Sequence, residues 1–77
     1  MDKRVNANYE IIVSVPTGKL NEIVIGHNPD AAAPYVCWYC HNGSDYNTGI
    51  YCQYYRDALD ALAERIKTNY DWLPRYF

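Results

Sequence analysis

No stretch of this chain stays apolar for long. Its apolar runs fall far short of the roughly 20 residues that cross a bilayer as a helix, so no membrane association is expected. Positive charge is equally sparse. Seven Lys and Arg stand against nine Asp and Glu, a net charge of −2, and Lys3–Arg4 is the only adjacent basic pair. Proteins that hold nucleic acid neutralise its phosphates with clustered cations, so direct nucleic-acid binding is not expected either. The acidic excess is too small and too evenly spread for a mimic of DNA. The opening residues MDKRVNANYE lack the apolar core of a secretory signal, and with Met1 in place the expectation is a cytoplasmic protein. Cysteine occurs three times. An odd number argues against a disulfide framework, as does a compartment in which thiols stay reduced. Repeats and low-complexity tracts are missing, and the 77 residues read as one domain.

What the chain does have is apolar and aromatic side chains. Apolar residues make up 49% of it and aromatics 16%, nine of them tyrosine. That is too much for a disordered chain and enough for a small core.

Residues 8–15, NYEIIVSV, are short and rich in Ile and Val and read as a strand. Pro16 ends it, and Thr17–Gly18–Lys19 reads as a turn in which Gly18 is free to take positive φ. Residues 20–27, LNEIVIGH, read as its hairpin partner, with Ile23 and Ile25 facing inward beside Ile11 and Val13. Residues 28–34, NPDAAAP, form a loop. Residues 35–40, YVCWYC, and 50–55, IYCQYY, read as a second hairpin, joined by a polar Gly-containing connection. The period then changes. Ala58, Leu59, Leu62, Ala63, Ile66 and Tyr70 recur at three- and four-residue spacing, one stripe of a helix over 56–70. Asp57 and Asp60 in its first turn and Arg65 and Lys67 in its last suit the helix dipole. The expected fold is α+β: a four-stranded antiparallel sheet of two hairpins, followed by one C-terminal helix packed on one face.

One segment invites a chemical reading: CWYCH, residues 37–41. It has the spacing of covalent haem attachment, but that process needs export and a haem pocket. A thiol redox pair needs its first cysteine at a helix N-terminus, whereas here a strand runs into a loop. Structural zinc on Cys37, Cys40, His41 and Cys52 is the alternative with an acceptable Cys₃His donor set. Against it, residues three apart on a regular strand point to opposite faces. The favoured reading is that the cysteines are small buried hydrophobes. If Cys40 pairs opposite Gly49, Cys37 lies opposite Cys52 on one face. His27, Asn28 and Asp30 suit turn formation better than catalysis. His41, Ser44 and Asp45 carry the letters of a hydrolase triad, but a sheet with one helix has little volume for a cleft. No catalytic residue and no cofactor are therefore assigned.

Residues 26–38 and 49–66 resemble small uncharacterised proteins of mobile elements (phages and conjugative elements) of gut Firmicutes. These carry an NPxAPxxYVTW-like strand, then a Gly-aromatic strand and a helix. The matching positions are Asn28, Pro29, Pro34, Tyr35, Val36, Trp38, Gly49, Tyr51, Ala58 and Arg65. Cys37 replaces an expected Thr, and Leu62 stands where an aromatic is common. The resemblance implies that the thiols are no shared motif. It also implies an accessory role on a mobile element, such as countering host defence.

A domain this small cannot bury all its rings, and exposed apolar patches mark contacts. The expectation is a non-catalytic module that binds a protein. Its contact surface is placed on Trp38 or Tyr39, Tyr46 and Tyr51, with Asp45 and Asn47 of the connecting loop. A homodimer through this aromatic face is compatible with that reading.

Overall fold

The computed structural model describes residues 3–69. Five strands and one helix follow in order: β1 (Val5–Asn6), β2 (Tyr9–Pro16), β3 (Asn21–His27), β4 (Tyr35–His41), β5 (Asp45–Cys52) and α1 (Tyr55–Asn69). The strands form one antiparallel sheet in the order β1-β2-β3-β4-β5, an unbroken meander. The α+β class and the helix on one face are as expected. The strand count is five and not four.

The extra strand is β1. It has two residues and returns into β2 through Ala7 and Asn8, both at positive φ (50° and 70°). Positive φ at both central residues gives the turn whose twist matches that of its strands. Two residues are too few to show alternation, which is why the segment has no strand signature.

β5 also departs from expectation. It begins at Asp45, five residues earlier than the IYCQYY reading, and ends at Cys52. The connecting loop shrinks to residues 42–44. Asn42 and Gly43 take positive φ (56° and 76°), and the Ser44 amide donates to the His41 carbonyl, as in the Asn-Gly hairpin turn. Gly18, by contrast, does not use positive φ.

The earlier start changes the register. Cys40 lies opposite Tyr46, Cys37 opposite Ile50, and Tyr35 opposite Cys52. The proposed Cys37–Cys52 pairing is therefore two residues off. A bulge between Cys37 and Tyr39, with Thr48 at φ 55°, adds to the shift. A second bulge lies between Ile11 and Val13. The extra residue, Ile12, reverses the alternation of β2. Val13 and Val15 then face the helix with Ile23 and Ile25, while Ile11 moves to the other face. The expectation that put Ile11 with Val13 assumed an unbroken strand.

Each face of the sheet carries its own core. On one side Ile23, Ile25, Cys37 and Cys52 pack beneath Ala58 and Leu62 of α1. The buried stripe of α1 is narrower than its periodicity suggests: Leu59 and Ala63 are exposed, and Arg65 is buried in their place. Tyr70 lies outside the described residues. On the opposite side Tyr9, Val24, Val36, Trp38 and Cys40 form a second cluster, joined by Ile11, Ala31 and Tyr46. Among the described residues, no helix is long and apolar enough to cross a membrane.

Candidate functional site

The aromatic face was expected to be exposed and available to a partner. It is instead largely closed by its own side chains. Trp38 is only 4% exposed and so cannot serve as a contact residue. The Tyr9 ring meets it edge-on at 5.6 Å, and Tyr9 donates its hydroxyl to the Ala33 carbonyl at 2.7 Å. That bond draws the 28–34 loop over the face. Tyr46 and Tyr51 flank the indole at 5.5 and 6.4 Å. Two glycines make the room. A Cβ on Gly26 would come within 2.9 Å of the Tyr9 Cβ, and one on Gly49 within 2.8 Å of the Trp38 indole nitrogen. Tyr39, the other option for an outward ring, lies on the helix side. The Arg65 guanidinium sits 4.3 Å from its centroid. Neither of the two central rings of β4 is therefore the exposed one.

Arg65 has a second task. Its Nη1 donates to the Cys37 carbonyl at 2.9 Å. That carbonyl borders the β4–β5 bulge, where ladder pairing is interrupted. The sequence pattern assigned Arg65 to the helix dipole, and nothing local marks it as a core residue. Its signal was its spacing from Ala58 and Leu62, seven and three residues away on the same helical face.

The hairpin end is held by a polar clamp. Arg4 forms a fork with the Glu22 carboxylate, at 3.0 and 2.9 Å. The same guanidinium donates to the Tyr46 hydroxyl at 3.0 Å and to the Gly43 carbonyl at 3.4 Å. Ser14 also donates to Glu22. The Arg4 bonds, followed in weight by the Ser14 hydroxyl, hold the Glu22 carboxyl below the usual carboxylate range despite its burial. The Arg4 guanidinium is correspondingly raised. The clamp ties β1 to the β4–β5 turn and fixes the Tyr46 ring.

The cysteines do not converge. Cys37 belongs to the helix-side cluster and Cys40 to the opposite one, as their three-residue spacing implies. Cys52 lies on the helix side, and His41 is exposed at the strand end with Nδ1 2.7 Å from the Asn21 side-chain oxygen. Four ligands on two faces of one sheet do not meet at a tetrahedral centre. Among the described residues no group of His, Cys, Asp and Glu is placed to hold a metal ion. Burial pushes all three thiols upward, away from the reactive thiolate. Asn28 begins a turn, accepting the Asp30 amide on its side chain at 3.0 Å. His41, Ser44 and Asp45 all sit exposed around the β4–β5 turn.

Apolar side chains are exposed along and just beyond β5, and Val5, Ile12, Leu20, Tyr55 and Leu59 are exposed as well. Ile50 is 41% exposed, Tyr51 56% and Tyr54 68%. Asp45 and Asn47 are exposed at the start of the strand, and Tyr46 is half-buried between them. Of the six residues expected to form the contact, the structure places Tyr46, Tyr51, Asp45 and Asn47 on β5. It adds Ile50 and Tyr54, which sequence patterning had assigned only to a strand. The neighbouring depressions are small. One of about 260 Å³ is lined by Leu20, Asn42 and Gly43 among others, and one of about 160 Å³ by Tyr39, Cys40 and Asn47 among others. Pockets that enclose small molecules are about 300–1,000 Å³; a depression of about 420 Å³ reaches that size, but it lies away from β5, along β2 beside Lys3 and Arg4. No family model matches the chain, and no curated protein or solved structure shows significant similarity to it.

Proposed function

We propose that the protein is a non-catalytic module that binds another protein through β5. The contact surface comprises Tyr46, Tyr51, Asp45 and Asn47, extended by Ile50 and Tyr54. The observation that carries this reading is the exposure of Ile50, Tyr51 and Tyr54 beside an otherwise closed core. Ile50 lies on the helix side of the edge strand and Tyr51 on the other, so they flank the edge. Exposed apolar side chains favour association, and tyrosine is enriched where binding energy concentrates. The backing is rigid: Tyr51 rests on Gly49 and the edge of Trp38, and Arg4 fixes Tyr46. A pre-organised surface loses little side-chain freedom on binding. Such a module acts by covering a site on its partner. An accessory protein of a mobile element that blocks a host enzyme would work in this way.

In-cell photocrosslinking tests the reading. A photoreactive phenylalanine replaces Tyr51 in one variant and Val5, exposed at the opposite edge of the sheet, in another. The expected result is a defined protein adduct from position 51 that position 5 does not give. Equal adducts from both positions, or none from position 51, would contradict it.

A further inference from the structure

The two edges of the sheet are built differently. An edge strand offers unpaired main-chain groups to any extended chain, and proteins usually blunt it with short length, lysine, proline or a bulge. The β1 edge uses these devices. β1 has two residues preceded by Lys3 and Arg4, and the stretch of β2 beyond it carries the Ile12 bulge and ends at Pro16. β5 is eight residues long, has no lysine or proline, and bears one charge, Asp45 at its start. Its bulge takes in Thr48 and Gly49, leaving residues 50–52 regular and paired inward with β4. Among the described residues no strand pairs with its outer side.

Charge selects the occupant. Asp45 puts one negative charge at the start of β5. Just past its end, Arg56, Asp57 and Asp60 (one positive, two negative) leave a net charge of −1. Antiparallel pairing of two copies would bring the start of one β5 against the end of the other, apposing like charges at both ends. A strand with cations at both ends meets opposite charges instead.

We propose that the outer edge of β5 accepts an extended segment of a protein partner, apolar at alternate positions and carrying Lys or Arg at each end. The main chain supplies the hydrogen bonds. The alternating side chains lie against Ile50 on the helix side and against Tyr51 on the other. This rests on the reading that β5 is the contact surface and adds the mode of recognition.

The probe is a synthetic peptide of alternating Val and Thr with two lysines at each end, added to the ¹⁵N-labelled full chain. A second peptide carries aspartates in place of the lysines. The lysine peptide is expected to slow amide exchange of outward-facing residues in 50–52 about tenfold or more and to leave the β1 edge unchanged. The aspartate peptide is expected to bind about tenfold more weakly at low salt. Ile50→Lys, which puts a cation on the edge, should abolish the protection while leaving the spectrum of β3 and α1 intact. Failure of the lysine peptide to protect 50–52 would overturn the proposal, as would equal binding of the two peptides. Protection of the outward-facing amides in 50–52 in the free chain would also overturn it, because the edge would already be covered. If the Tyr46 and Tyr51 ring resonances shift without amide protection, edge pairing fails while β5 remains a contact surface. Crosslinking at position 51 reads that surface independently.

Discussion

Glu22 shows how one side chain links segments that are far apart in sequence. Its carboxylate takes the Arg4 fork, and the same guanidinium reaches Tyr46. Because the Glu22 carboxyl is held below its usual range, the ionised form belongs to the folded state. The stabilisation is fully present above the ordinary carboxylate range and is lost as the pH falls through the lowered value. Glu22→Gln should therefore cost about 1 kcal/mol at neutral pH, a modest figure because the Arg4 side chain is partly exposed. It should also flatten the acid limb of the stability curve, measured by urea unfolding at several pH values. An unchanged acid limb would place the pH dependence elsewhere. This clamp was not legible in the sequence. Lys3 and Arg4 read as the only basic pair, and nothing in the pattern links position 4 to positions 22 and 46. The opposite holds for the CWYCH segment. Three-residue spacing on a strand already placed Cys37 and Cys40 on different faces, and the structure places them in different clusters.

Elements were legible where their pattern was long and regular. α1 runs Tyr55–Asn69 against an expected 56–70, because six apolar positions fixed its period. The strands β2, β3 and β4 were placed within a residue or two for a similar reason. β1 and the first part of β5 were missed because one has only two residues and the other reads DYNTG. A polar edge strand looks like a loop, since its outer side needs no burial. Bulges were equally invisible, and each displaced a face or a register: Ile12 moved Ile11 away from the helix, and the Thr48 region shifted the Cys37 pairing. Within α1, periodicity treated Leu59 and Leu62 alike, whereas the structure leaves the first 38% exposed and the second 6%. Leu62→Ala should destabilise by about 2–4 kcal/mol and Leu59→Ala by less than about 1 kcal/mol in chemical denaturation. Equal losses would mean that α1 docks with a different rotation.

At the largest scale, the described residues form a five-stranded sheet with a core on each side, a helix over one and side chains and a loop over the other. The number of rings suggested an open aromatic face. The structure instead buries Tyr9 and Trp38, because Gly26 and Gly49 let Tyr9, Trp38 and Tyr51 meet edge-on where larger residues would hold them apart. The proposed contact is then a strip along β5 in place of a broad face. The most direct test of that claim is the affinity of the purified crosslinked partner for the wild-type chain and for Tyr51→Ala, with Leu59→Ala as the control, by titration calorimetry. Tyr51→Ala is expected to weaken binding by about tenfold or more, close to 1.4 kcal/mol, with Leu59→Ala near wild type. Wild-type affinity in Tyr51→Ala, or an equal loss in Leu59→Ala, would contradict the assignment of β5 as the contact surface.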